Sequence, residues 1–173
     1  MNEKRLWAPW RLEYIHAQRD KKKFAASCPF CDLVKQSPSE TNLVLYKDRD
    51  LFVVMNKFPY NPGHIMVLPR MHKAFPSDVP KNTWTRVGLA VRQATVVLRK
   101  AFDCPGLNLG INLGTAGGAG IPGHLHQHIL PRWTGDTNFM PLLAETKNLP
   151  SHNLTVYRQL APHFRDFAKH LDS

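Results

Sequence analysis

In Gly123-His124-Leu125-His126-Gln127-His128-Ile129-Leu130-Pro131-Arg132-Trp133, histidines occupy every second position from 124 to 128. A period of two belongs to a β-strand; a helix repeats its faces every three to four residues. On a strand, His124, His126 and His128 project from one face at intervals of about 6.6 Å, while Leu125, Gln127 and Ile129 take the other. Three imidazoles on one face are costly as packing and useful as chemistry. A neutral imidazole can ligate a metal, and it can attack an electrophile such as phosphorus. The spacing alone leaves both uses open.

Outward from this strand, the glycine-rich Gly114 to Gly123 leads back to a second alternating run, Leu107 to Leu113. Before it, Trp84, Val87, Val91, Ala94, Thr95, Leu98 and Phe102 recur at three- and four-residue steps, which predicts an amphipathic helix starting near Pro80. Leu43 to Tyr46 and Leu51 to Met55 flank the turn-rich Lys47-Asp48-Arg49-Asp50 and read as a hairpin. Phe58 to Gly63 is a loop into a further strand, His64 to Leu68. A second helix is expected after Ser151 as N-cap, carrying Leu154, Tyr157, Leu160, Phe164, Phe167 and Leu171, with a kink at Pro162. Strands and helices do not alternate in order. The expectation is therefore α+β, an antiparallel sheet of about five strands with one long inserted helix and a C-terminal helix. Residues 1–27 read as an N-terminal arm anchored by Trp7 and Trp10, and residues 28–173 as a single domain.

The 173 residues carry a formal charge of +10, which favours anionic partners: nucleic acid, anionic lipid or a small polyphosphate. Part of it is local, in Lys21-Lys22-Lys23, which reads as a solvated linker. Aromatic residues do not interleave with basic ones along a strand, so single-stranded nucleic acid is disfavoured. No run approaches the roughly 20 apolar residues of a membrane helix, and the first residues lack a secretory core, so the cytoplasm is expected. Of three cysteines, Cys104 stands alone as an inert loop residue, whereas Cys28-Pro-Phe-Cys31 has spacing that serves zinc sites and redox motifs. A redox role would call for a strand–helix context, and this segment reads as loop.

His124-Leu-His126-Gln-His128-Ile-Leu-Pro131 resembles the histidine-triad family, and the match extends through Leu51 to His72, where that family carries its nucleotide-binding hairpin. The flanks Trp7-Ala-Pro-Trp10-Arg11 and Gly135-Asp136-Thr137-Asn138-Phe139-Met140 resemble the bacterial branch that includes dinucleoside tetraphosphate phosphorylases. The resemblance implies a nucleotidyl transferase or phosphorylase acting on dinucleoside polyphosphates through a covalent nucleotidyl-histidine. A hydrolase of dinucleoside polyphosphates or phosphoramidates is the alternative, and a non-catalytic nucleotide-sensing or nucleic-acid-binding module is the rival from another class. It further implies His126 as nucleophile and His128 as donor to phosphate oxygens and to the leaving group. Asn56 stands at the ribose contact, His64 frames the nucleoside pocket, and Asn112 faces the phosphates. Trp133 would shape the far side of the pocket, with a core position as the alternative. A homodimer is implied as well, with no organic cofactor.

Zinc-bearing members of the family complete a Cys-x-x-Cys pair with the histidine of a Pro-x-x-His element and the first triad histidine. The resemblance thus implies structural zinc on Cys28, Cys31, His72 and His124, a closed set of two thiolates and two imidazoles. One departure stands out. Four residues before the first triad histidine, relatives often place a serine, threonine or glutamine that holds phosphate; here it is Gly120. Backbone N–H groups of Gly118, Ala119 and Gly120 could cradle phosphate instead. Whether inorganic phosphate or water is the second acceptor stays open.

Overall fold

The computed structural model describes residues 28–136 and 152–171. The expected arm, the segment after Asp136 and Ser151 lie outside the described residues. Five strands form one sheet: β1 (Val44–Lys47), β2 (Leu51–Met55), β3 (Ile65–Pro69), β4 (Gly106–Ile111) and β5 (Gln127–Arg132). Their spatial order is β1-β2-β3-β5-β4, with every neighbouring pair antiparallel. The α+β expectation holds. β1 and β2 meet through the 47–50 turn, where Asp48 Oδ1 accepts from the N–H groups of Asp50 (2.8 Å) and Leu51 (2.9 Å).

The long helix α2 (Lys81–Phe102) buries Val87, Val91, Ala94 and Leu98 of the periodic stripe together with Thr83, Ala90 and Val97, while Trp84, Thr95 and Phe102 are half-buried. That stripe covers one face of the sheet, packing on Leu51, Val53, Met55, Ile65, Val67 and Ile129. A fully buried aliphatic side chain contributes about 1.5–3 kcal/mol, so the stripe outweighs the modest propensity of a helix rich in valine and threonine. Arg86 of α2 pairs with Asp48 (2.8 Å) and Asp50 (3.1 Å), tying the helix to the hairpin turn. The opposite face carries Phe52, Val54, Met66 and Leu68 under Phe30. His128 pairs in register with Met66, so the histidine face is the one turned away from α2.

Several boundaries differ from the sequence reading. β5 begins at Gln127, so His124 and His126 stand on the approach to the ladder and not within it. That approach is held from the side, where Leu125 N–H donates to Lys73 O at 2.6 Å. Cys28-Pro-Phe-Cys31 is not loop: Cys28 caps a short helix, α1 (Pro29–Val34), with Pro29 at its first position, where a missing N–H costs nothing. The C-terminal helix α3 (Asn153–Leu160) is capped by His152, whose Nδ1 accepts from Leu154 N–H at 3.4 Å. At Pro162 the chain turns from α-helix into a tighter 3₁₀ turn, Ala161–Phe164, as expected where proline removes a helical donor. Among the described residues no helix is long and apolar enough to cross a membrane.

Candidate active site and metal centre

His126 is 5% and His128 8% exposed, side by side on the face away from α2, with ring centroids 4.9 Å apart. The hydrogen-bond partners assign their protons. His126 Nδ1 lies 2.7 Å from the His124 carbonyl, which can only accept, so Nδ1 carries the hydrogen and Nε2 keeps its lone pair. A second chain of bonds reaches His128 through fully buried His64. Tyr60 N–H donates to His64 Nδ1 at 3.2 Å, which leaves the proton of neutral His64 on Nε2. His64 Nε2 is 2.8 Å from His128 Nδ1 and donates to it. Neutral His128 therefore carries its own hydrogen on Nε2. One face thus offers a bare imidazole nitrogen at His126 and an N–H donor at His128.

Asn56 supports the same assignment. Its Oδ1 accepts from Phe58 N–H at 3.0 Å, which turns its Nδ2 toward His64 Nδ1 at 3.3 Å. Burial pushes the His126 imidazole below its usual range, keeping it neutral. Burial, reinforced by the neighbouring His126, pushes His128 down to about 4. At pH 7 both rings are neutral, the state in which Nε2 of His126 can attack.

Phe30 of α1 lies between this pair and a second cluster, its ring 5.3 Å from His126 and 5.4 Å from His124. Cys28, Cys31, His72 and His124 present ligand atoms all within 4.8 Å of one another. Cys31 Sγ is 3.2 Å from His72 Nδ1 and 3.6 Å from His124 Nδ1, and Cys28 Sγ is 3.6 Å from His124 Nδ1. Sulfur and nitrogen ligands on one tetrahedral zinc, at bonds of about 2.3 and 2.0 Å, sit ~3.6 Å apart. The donor set and its spacing fit such an ion. His124 Nε2 donates to Pro69 O at 2.9 Å, which fixes the ring with Nδ1 toward the cluster, the outer contact a ligating histidine needs. His72 approaches the backbone so closely that a Cβ on Gly123 would lie 3.1 Å from its Nε2.

The remaining candidates are arranged differently. Asn112 Nδ2 reaches Gly118 O at 3.5 Å and braces the glycine loop. Within that loop Gly118 N–H donates to Thr115 O and Ala119 N–H to Gly114 O, both at 3.1 Å, so two of the three expected phosphate donors are spent on the loop itself. Trp133 follows β5 in step with Ile129 and Pro131, and its ring meets Phe102 of α2 edge-on at 6.3 Å, centroid to centroid. Half-buried, it touches the helix from outside the buried core, while His126 and His128 sit on the other face.

A family model for the HIT domain matches residues 37–135. The chain belongs to the HIT family. It is 33% identical over 161 residues to AP-4-A phosphorylase of Mycobacterium tuberculosis (strain ATCC 25618 / H37Rv), a match covering 91% of this chain and 82% of that relative. Among solved structures it is similar to a hypothetical histidine triad nucleotide-binding protein from Sulfolobus tokodaii (24% identity, TM-score 0.65, 84% of this chain and 94% of that one). It is also similar to a Zn-bound histidine triad family protein from Mycobacterium smegmatis (25% identity, TM-score 0.61, 83% and 96%). The sequence reading gave no role to Tyr60, Asn61 and Asp136: Tyr60 and Asn61 contact His64 from the loop before β3, and Asp136, in the turn after β5, contacts Asn61. Asn61 reads as a loop residue, and a partner 75 positions away leaves no local signal.

Proposed function

We propose that this HIT protein is a nucleotidyl-transferring enzyme in which His126 Nε2 attacks the α-phosphorus of a dinucleoside polyphosphate such as diadenosine tetraphosphate. The observation that carries the reading is the proton assignment: a lone pair on His126 beside an N–H on His128. In the first step the N–P bond forms and the bridging P–O bond to the departing nucleotide breaks; His128 donates to the phosphate and leaving oxygens. In the second step an acceptor oxygen attacks phosphorus and the P–N bond breaks, returning His126 to its neutral form. A preorganised donor at developing charge is worth about 10²–10³ in rate, which sets the scale for His128. Asn56 is the proposed ribose contact, and His64, fully buried, acts through His128.

Inorganic phosphate is the proposed second acceptor, giving ADP from the captured adenylate. The relative named AP-4-A phosphorylase and the flanking motifs support this branch. A second reading, hydrolysis, is favoured by one observation: Gly118 and Ala119 N–H are engaged within their loop and so offer phosphate less. Product analysis on diadenosine tetraphosphate with and without millimolar phosphate separates the two. ADP and ATP indicate phosphorolysis; AMP and ATP at every phosphate concentration indicate hydrolysis.

Cys28, Cys31, His72 and His124 would hold one zinc. It would serve as a cross-link, pinning α1 and the loop after β3 to the strand approach and leaving His126 free. A homodimer is the proposed assembly. β4 is an edge strand with Leu109 48% exposed, and light scattering on the purified chain tests it.

A further inference from the structure

Asp136 sits in a turn closed by its own N–H on the Trp133 carbonyl at 3.1 Å, with Gly135 at φ +80°. Its carboxylate collects donors from two parts of the fold. Arg132 Nε (2.6 Å) and Nη2 (2.7 Å) grip it bidentately, and Trp133 N–H (3.1 Å) joins them from the turn. The other donor, Asn61 Nδ2 at 2.8 Å, comes from the loop between β2 and β3. Asn61 is 4% exposed, and the same nitrogen also donates to Pro131 O at 2.9 Å, so its amide hydrogens fasten that loop to the end of β5. Arg132 Nη1 extends the network to Asn108 of β4.

The fastened loop is the one that sets the proton of His64. Asn61 O accepts from His64 N–H at 3.1 Å, and the preceding residue, Tyr60, aims its N–H at His64 Nδ1. The second donor to that nitrogen, Asn56, is oriented by Phe58 N–H, which belongs to the same loop. Both groups that keep Nδ1 of His64 unprotonated therefore depend on where this loop is held. Moving the proton of His64 to Nδ1 would set N–H against N–H at Tyr60, and it would turn Nε2 into an acceptor. His128 would then protonate at Nδ1 and lose its Nε2 hydrogen.

We propose that Asn61 and Asp136 are positioning residues: through the loop they fasten, they hold His64 and His128 in the tautomers that leave a hydrogen on His128 Nε2. An acceptor-only carboxylate suits position 136, because an amide there would turn a donor toward one of three donating groups. The structural part stands by itself, while its kinetic consequence rests on the proposed function.

The test uses the full chain with uniformly 15N-labelled histidine. In the parent protein His128 shows a protonated Nε2 and a bare Nδ1. Asp136→Asn and Asn61→Ala each give a mixed tautomer at His128 in a protein that stays folded. With diadenosine tetraphosphate, kcat falls about three- to fivefold, no more than removal of the His64 bond itself would cost, and KM stays within twofold. In a His128→Ala background, Asp136→Asn costs less than a further twofold, because the two act in series. Unchanged His128 nitrogen shifts in folded variants, or a full multiplicative loss in the His128→Ala background, overturn the proposal. If the parent protein fails to turn over diadenosine tetraphosphate, the proposed function falls and the nitrogen shifts still decide this inference. Should Asp136→Asn not fold, Asn61→Ser carries the same measurements; collapse of both variants assigns the network to fold maintenance and overturns the positioning role.

Discussion

Replacing His64 by phenylalanine isolates the second half of the proton chain while leaving the packing nearly intact. The side chain is fully buried, and its ring packs 4.8 Å from that of Tyr60, so an aromatic of similar size fits the space. What is lost is polar: the acceptor for Tyr60 N–H and the donor to His128 Nδ1. A neutral hydrogen bond is worth about 0.5–1.5 kcal/mol net, which corresponds to a two- to tenfold weaker bias toward the Nε2–H form of His128. Complete loss of the His128 donor would cost about 10²–10³. His64→Phe should therefore lower kcat two- to tenfold with KM nearly unchanged, well short of His128→Ala. Leaving a polar group unpaired costs about 1–3 kcal/mol, and at this chain length each kcal/mol moves Tm by about 2–4 °C. Steady-state kinetics on diadenosine tetraphosphate and a thermal melt read both numbers. An unchanged kcat would refute the relay, and a loss as deep as that of His128→Ala would show that His64 itself reaches the substrate.

Three further outcomes are expected. Metal analysis should find about one zinc per chain, and Cys28→Ser with Cys31→Ser should abolish it and lower Tm; full zinc retention contradicts the assignment. Gly120→Ser should fold normally, because a Cβ there meets nothing within 4 Å, and should strengthen the dependence of product formation on phosphate; an unfolded variant or an unaltered phosphate dependence counts against the placement. Burial pushes the Asp48 carboxyl up, but the Leu51 and Asp50 N–H groups, Arg86 and Tyr46 outweigh it and hold it below the usual carboxylate range. Its stabilisation is therefore fully present above about pH 4 and lost as pH falls through the lower folded-state value. Denaturation midpoints should fall less steeply below pH 4 in Asp48→Asn, and an identical pH slope would disprove the coupling.

Much of this architecture was legible because the periodic signals are long. Trp84 to Phe102 repeats through five turns, and β2 and β3 are continuous apolar runs buried on both faces. α1 escaped because six residues holding a proline and a cysteine carry no period of 3.6. The histidine alternation overran β5 for a physical reason: extended backbone alternates its side chains whether or not a ladder partner is present. Trp133 shows the reverse, since counting by twos from Ile129 already assigns it to the α2 side, where it meets Phe102. The glycine loop could not be read, because nothing in Gly114 to Gly120 distinguishes an amide free for phosphate from one closing a turn. The Cys28–His124 cluster follows from the resemblance and the fold brings its four ligand atoms together, whereas the Asn61–Asp136 contact is a long-range pair that no local pattern announces.

The claim that His126 forms the covalent bond is tested most directly by quenching the protein in mid-turnover with diadenosine tetraphosphate labelled at the α-phosphorus. The account predicts acid-labile, base-stable label on the chain, mapping to the peptide that contains His126 and absent from His126→Ala, which should still bind nucleotide within about tenfold of the parent, or about 1.4 kcal/mol. Near-normal turnover by His126→Ala, or label on another residue, would contradict it.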